Sequence, residues 1–443
     1  MTTEHSKYDP HEFDAEFSKA YRAELDAIGK LNLVILGDVG AGKSTLVNKV
    51  FGFDEAPTGV GAAVTKELRW YEDPKVGCLR ICDNPGFEFG DSVGALVAAL
   101  RSEVETRRSG DPTEHVHAVW LVVKPGRLLE AHKQVVSALA EMGLKPMLVI
   151  THVDMWNGEY DEEAVTFAKK VEEMDLPLNP HGRIFLVNSV ARQRPPVPQH
   201  GLKELVHATI KAVPTVARRA VRVAQIVDVR EKRKDAFQHL RKALPFAAAA
   251  GALPLPLADM AALTAVHAKL LAEIAADYGV ALSSTQTTKL AGAIAFTGGS
   301  ISRAGGEATR WALEKGAETA ARRAARHVAG EVGENAARIA AKQLGRQTGR
   351  LAGAFARIAP GIGLAVAAVN ATLAVGFTYA VGHAWMKACE EIRRKPDLFH
   401  NLAILDIAGL FSAHYQRHKS EPPTEDLDAI LTEDDLDEDD GRS

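Results

Sequence analysis

Gly37-Asp38-Val39-Gly40-Ala41-Gly42-Lys43-Ser44 sets glycines, a lysine and a hydroxyl at intervals suited to holding phosphate. A glycine-rich turn brings successive backbone N–H groups onto one anion, because glycine tolerates the backbone angles such a turn needs. The spacing predicts that the loop from Asp38 to Thr45 cradles a nucleotide: N–H groups from Val39 through Gly40, Ala41 and Gly42 to Thr45 converge on the β-phosphate. Lys43 bridges the β- and γ-phosphates, and the Ser44 hydroxyl ligates Mg²⁺. The loop alone does not name the base.

Later residues narrow the chemistry. In "ICDNPGFEFG", Asp83 ends an apolar run and reaches Mg²⁺ through water, while Gly86 offers its N–H to the γ-phosphate. Thr65 is the candidate second metal ligand because it abuts the preceding strand, with Thr58 as the alternative. "LVITHVD" then delivers Thr151, His152 and Asp154 at a strand end, where nucleotide bases lie in open α/β sheets. A carboxylate there accepts from guanine N1–H and N2–H, a donor pair that adenine lacks, so Asp154 selects GTP over ATP. In "LVNSV", Ser189 and the N–H of Val190 are placed to touch guanine O6. Lys43, Thr65 and Gly86 are thus the catalytic candidates, and Ser44, Thr65 and Asp83 the metal ligands. Phe87, which follows Gly86, has no group to orient an attacking water, so hydrolysis is expected to be slow. Arg127 is either a surface residue or a group that reaches the phosphates or a second copy of the chain, which would make self-association through this domain part of the chemistry.

These residues need strand ends to hold them. Strand-like runs at 31–36, 66–72, 78–82, 117–123, 146–151 and 183–188 alternate with helix-period stretches at 91–108, 128–142 and 159–174. Such alternation predicts an α/β domain over 31–213, a mostly parallel sheet with helices on both faces. A short charged helix over 1–30 leads in, and a helix near 202–213 closes the domain.

The order of motifs resembles the translation-factor-related class of P-loop GTPases, in particular its Era-like and immunity-related-GTPase-like branches. "GDVGAGKSTLVNKVFG" is similar to their phosphate loop, "TGVGAAVTKELRWYE" to their first switch and "DNPGFE" to their second. The resemblance covers about 31–213 and implies GTP as ligand and substrate, Mg²⁺ as cofactor and a nucleotide-dependent switch. One departure is Thr-His-Val-Asp at 151–154, where the family carries a lysine whose stem packs on the base. His152 can stack in its place. Members with an apolar residue at the place of Phe87 still hydrolyse GTP slowly.

After Pro214 the strand signal ends, and an all-α C-terminal domain is expected. Residues 214–242 form a basic helical linker with ten bases and three acids between Lys211 and Lys242. That run reads as a solvated face, or as contact with anionic lipid or RNA in a ribosome-associated assembly GTPase. Residues 243–418 are Ala- and Gly-rich, and 235–395 resemble a helical family found fused to such GTPase domains and predicted to touch membranes. Residues 243–266 hold one charge, and 358–386 hold no Asp, Glu, Lys or Arg. The second stretch is long enough to span a bilayer, or to pack as a buried helical hairpin; both readings stand. A non-catalytic GTP-binding scaffold is a further alternative, supported by Phe87 alone.

Composition fits these readings: 46% hydrophobic and 25% charged residues suit a globular chain of two or three domains. Three cysteines give no disulfide framework. The first thirty residues are charged and lack an apolar core, so a cytoplasmic, non-secreted chain is expected. Removing the eleven acids and one base of 421–443 would move the formal charge from −4 to +6, so residues 419–443 read as a disordered acidic tail.

Overall fold

The computed structural model describes residues 9–52, 68–72, 77–83, 93–128, 130–193, 196–251, 258–303, 362–395, 398–399 and 401–420. Thr58, Thr65, Gly86, Phe87 and the acidic stretch from 421 onward lie outside the described residues. The chain divides into two compact units, Leu25–Lys232 and a second made of Met1–Glu24 with Arg233–Ser443. Helix α1 (Pro10–Ile28) crosses the first boundary.

The Leu25–Lys232 unit is organised by a six-stranded sheet. Its strands are β1 (Leu31–Gly37), β2 (Arg69–Glu72), β3 (Leu79–Asp83), β4 (Ala118–Val123), β5 (Met147–Ile150) and β8 (Ile184–Leu186), ordered β2-β3-β1-β4-β5-β8. All pairs are parallel except β2 with β3, which is antiparallel at the edge. The sequences "LNLVILG" of β1 and "AVWLVV" of β4 are buried at every position, as parallel strands covered on both faces must be. Helices α2 (Lys43–Phe51), α3 (Val93–Arg108), α4 (Glu130–Glu141), α5 (Glu162–Glu172), α6 (Leu202–Ala212) and α7 (Thr215–Ala224) supply the cover. Helix α4 shows why: His132, Val135, Val136, Ala138 and Leu139 recur at helical spacing, and all are buried. Trp120 of β4 is fully buried, stacks on Phe51 of α2 at 5.7 Å and donates its indole N–H to Thr209 Oγ1 at 3.2 Å. The indole is thereby both packed and satisfied.

Register decides which strand ends meet. Gly37 pairs with Val122, Ile35 with Asp83, and Val123 with Ile150, so the carboxyl ends of β1, β3, β4 and β5 share one edge. Where a helix was expected from 159, a hairpin forms first: β6 (Met155–Trp156) pairs with β7 (Glu159–Tyr160). Asn157 and Gly158 between them have φ of 52° and 85°, the primed turn that Asn-Gly favours. Helix α5 then starts behind Asp161, whose carboxylate accepts from the Ala164 N–H. A second hairpin, β9 (Arg192–Gln193) with β10 (Pro196–Val197), follows β8. Cys78, Cys82 and Cys389 are buried, and none of them is in a disulfide.

The second unit is helical: α8 (Val229–Gly251), α9 (Ala258–Tyr278), α10 (Ser284–Arg303), α11 (Ile362–Arg394) and α12 (Ile407–Ser420). Helix α11 packs on α9 and α12, and α10 packs on α12. Trp385 is fully buried and donates to the Leu271 carbonyl at 2.9 Å. Burial lowers His267 to about 3, so the ring is neutral where it meets Thr378 Oγ1 at 2.9 Å. Arg233 grips both oxygens of Glu390 at 2.6 and 2.8 Å, and the Tyr278 hydroxyl adds a donor at 3.2 Å. Burial pushes the Glu390 carboxyl up, yet Arg233 outweighs it and holds the group below its ordinary range. Helix α1 supplies Phe13 and Phe17 as buried residues, and its Asp14 accepts from Ser284 at 2.6 Å and from Thr287.

Two expectations for the apolar stretches are corrected. Residues 362–386 lie in one continuous helix, α11, and not in a hairpin. No described helix is long and apolar enough to cross a membrane. In α11 the apolar surface is interrupted by the buried polar residues Thr378, His383, Glu390 and Arg393. Within 243–266, helix α8 runs through Pro245 to Gly251, residues 252–257 lie outside the described residues, and α9 begins at Ala258.

Candidate functional site

The candidate phosphate loop is the turn from β1 into α2. Gly37 has a φ of 146°, and a Cβ added there would stand 2.1 Å from the Val122 carbonyl oxygen, so no side chain fits beside β4. Gly42, with a φ of 88°, is the N-cap of α2 and gives no side-chain cap to the helix, whose first N–H groups face the turn. The turn closes through the Ala41 N–H to the Asp38 carbonyl at 3.2 Å. Lys43 is buried, and its Nζ donates to the carbonyl oxygens of Gly37 at 2.8 Å and Asp38 at 3.0 Å, so the ammonium straps the loop it belongs to. Val39 at the tip is exposed. The Asp38 carboxylate lies 3.6 Å from Nε2 of His132, a fully buried residue of α4 that sequence reading passed over.

Ser44 and Thr45 form the start of α2, and register sets Asp83 at the end of β3 opposite Ile35, two residues before Gly37. A serine hydroxyl and an aspartate carboxylate are hard oxygen donors, the set that Mg²⁺ takes when phosphate supplies its other oxygens. The residues present therefore fit the ion.

The residues expected to meet the base come from separate segments of the chain. Thr151, at the end of β5, donates its hydroxyl to the Ala41 carbonyl at 2.6 Å, tying the base motif to the phosphate loop. His152 has a φ of 57°, and its Nε2 stands 3.6 Å from where a Gly42 Cβ would be. Asp154 lies past Val153, whose carbonyl meets His200 Nε2 at 2.9 Å. Arg192 Nη2 from β9 donates to both Asp154 oxygens. Ser189 is buried, its carbonyl accepts from Gln199 at 3.1 Å, and the Val190 N–H points to Asn188 Oδ1 at 3.4 Å.

Two cations emerge that the motifs did not announce. Lys124 follows β4, and its Nζ would stand 3.6 Å from a Cβ on Gly40, so an ammonium lies beside the rim of the phosphate loop. The available signal was its place, directly after a buried strand whose end shares the site's edge. Arg192 had no such signal, because it lies in a short hairpin beyond the last motif. Arg127 is exposed, and its N–H closes a turn on the Lys124 carbonyl at 3.1 Å.

Residues 32–152 match the family model described as "50S ribosome-binding GTPase". Among curated proteins, the chain is 24% identical over 213 residues to mouse (Mus musculus) interferon-gamma-inducible GTPase 10. That match covers 43% of this chain and 48% of the relative, so the chain spans about half of that protein's length. Among solved structures, a septin GTPase domain from Chlamydomonas reinhardtii is 15% identical, with 37% of this chain and 77% of that chain covered and a TM-score of 0.27. A probable GTP-binding protein engB is 14% identical, with 41% and 97% covered and a TM-score of 0.28. Phosphate loop, strand order and family model agree that the Leu25–Lys232 unit carries a P-loop GTPase domain.

Proposed function

We propose that this domain binds GTP with Mg²⁺, selects guanine through Asp154, and hydrolyses GTP slowly as a nucleotide-dependent switch. The observation that carries the reading is the Thr151 hydroxyl bond to the Ala41 carbonyl at 2.6 Å, which joins the base motif to the phosphate loop. Asp154 then accepts from guanine N1–H and N2–H, sharing its oxygens with Arg192. Ser189 and the Val190 N–H meet O6, and His152 lies against the base in place of the family's lysine. The loop N–H groups and Lys43 oppose the charge that grows on the phosphates during cleavage. Mg²⁺, held by Ser44 and Asp83 with Thr65 as the further ligand, neutralises phosphate charge when bound. Gly86 contributes its N–H to the γ-phosphate. With Phe87 next to it, water is oriented by another group, and turnover is slow.

The switch reading has GTP ordering the segments around Thr65 and 83–89, and the helical unit answering to the change by engaging a membrane surface or a protein partner.

The decisive variant is Asp154→Asn. Replacing the acceptor carboxylate by an amide supplies a donor for xanthine O2 and takes away the acceptor for guanine N2–H. GTP affinity is expected to fall on the order of 100-fold, as loss of hydrogen bonds to a charged group implies, while xanthosine triphosphate binding rises. Unchanged GTP binding, read by fluorescent-nucleotide titration, would place the base elsewhere.

A further inference from the structure

The helical unit gathers three carboxylates around one imidazole, the four side chains coming from three helices. Glu24 comes from α1, His239 from α8, and Glu273 and Asp277 from α9, one turn apart. Their side chains are 13%, 11%, 15% and 0% exposed, respectively. His239 Nε2 stands 3.5 Å from Glu24 Oε1 and 3.3 Å from Asp277 Oδ2. On the other side of the ring, Nδ1 stands 3.3 Å from Glu273 Oε2, and Lys269 lies 3.7 Å from the second oxygen of that carboxylate. The ligand-type atoms of Glu24, His239 and Asp277 all lie within 4.8 Å of one another.

These separations favour a shared cation over a set of hydrogen bonds. A charge-assisted N–H···O⁻ bond closes to about 2.7–2.9 Å, and one Nε2 hydrogen can lie along the line to only one of two carboxylates. Two donors each about 2.0–2.1 Å from a tetrahedral ion are separated by about 3.3 Å. The Nε2 distances match that spacing. Glu273 completes the arrangement from behind the ring: a carboxylate on the Nδ1 side favours the tautomer that keeps its hydrogen there and presents the Nε2 lone pair, as carboxylates behind metal-binding histidines do.

We propose that Glu24, His239 Nε2 and Asp277 form a divalent transition-metal site, taking Zn²⁺ or Mn²⁺, with Glu273 as the positioning carboxylate. One imidazole and two carboxylates suit those ions, whereas Mg²⁺ takes oxygen and keeps its water. Two ligand carboxylates balance the charge of the ion, and the neutral ring adds none. The site joins α1 to α8 and α9, and its ligands stand in sequence on either side of Leu25–Lys232: Glu24 is the residue before it, and His239 follows shortly after. The rival occupant is a proton: burial lowers the ring's affinity for it, but Asp277 and Glu273 raise the pKa to about 9.

The test uses the full chain, stripped with chelator and then held in Mg²⁺ and GDP so that the nucleotide site is saturated. Titration with ZnCl₂ or MnCl₂ is followed by calorimetry and by thermal melting. One ion is expected to bind per chain, with a melting temperature that rises with ion concentration. Asp277→Asn removes a ligand and is expected to weaken binding more than 100-fold. Glu24→Gln, at the more exposed rim, does the same with less burden on packing, and Glu273→Gln weakens binding about 10- to 100-fold. Circular dichroism and GDP binding show whether each variant is folded. No stoichiometric ion in folded wild-type chain, leaving a proton-only cluster, overturns the proposal. So does equal affinity in wild type and folded Glu24→Gln, which would mean that the ions bind elsewhere.

Discussion

The two ends of the proposed nucleotide site are built from different materials. At the glycine-rich turn the backbone sets the shape: Gly37 leaves no room for a side chain beside Val122, and Lys43 is fastened to carbonyls of its own loop. At the proposed base end side chains do it, with Thr151, His152 and Asp154 from one segment and Ser189 to Arg192 from another. The difference teaches where tolerance lies. A backbone cradle fails with one added carbon, whereas a side-chain constellation is adjustable piece by piece.

That contrast can be broken by three substitutions, ordered by the size of effect. Gly37→Ala sets a Cβ 2.1 Å from a strand carbonyl, an approach real structures avoid. Nucleotide binding is expected to be lost by more than about 100-fold, with a fall in melting temperature from core strain of about 3 kcal/mol or more. A variant that binds normally would show that the loop can move away from β4. Lys124→Ala is expected to weaken GTP about three- to tenfold without altering stability, and to reduce the salt dependence of binding, because it removes one near-surface charge from the rim. Nucleotide titration at two salt concentrations reads it. Arg192→Ala should act in the opposite sense. Its pair with Asp154 is half exposed on the arginine side, and exposed pairs contribute about 0.2–1 kcal/mol. Freeing the carboxylate is expected to tighten GTP about two- to fivefold. Weaker binding would instead make Arg192 the group that orients Asp154.

The same contrast explains what could be read from sequence. The glycine-rich turn between β1 and α2 was legible because its residues are contiguous, and the alternation of apolar strands with helices announced the sheet that carries it. β1 and β4 read as strands because parallel strands buried on both faces are unbroken apolar runs. Arg192 and Lys124 were not legible as partners of the site, since register and a two-residue hairpin set their places and no local pattern encodes either. The hairpin at Met155–Tyr160 was read as the start of a helix, although Asn157-Gly158 carries the turn signal in plain view. In the helical unit, the apolar run of 358–386 suggested a bend or a membrane span. Hydropathy counts Ala and Gly without showing what packs on them, and α11 continues without a break to Arg394.

The interleaved chain order also sets a timetable for synthesis. The Leu25–Lys232 unit is one contiguous stretch, so it can fold as soon as it leaves the ribosome. Helix α1 emerges earlier but belongs with residues made much later: Asp14 and its partner Thr287 are 273 residues apart. At about 5–20 residues per second, that is a wait of roughly 15–55 s. Throughout it, the Ser284 and Thr287 partners of Asp14 are not yet made, while Phe13 and Phe17, buried in the finished molecule, lie on the part of α1 outside the Leu25–Lys232 unit.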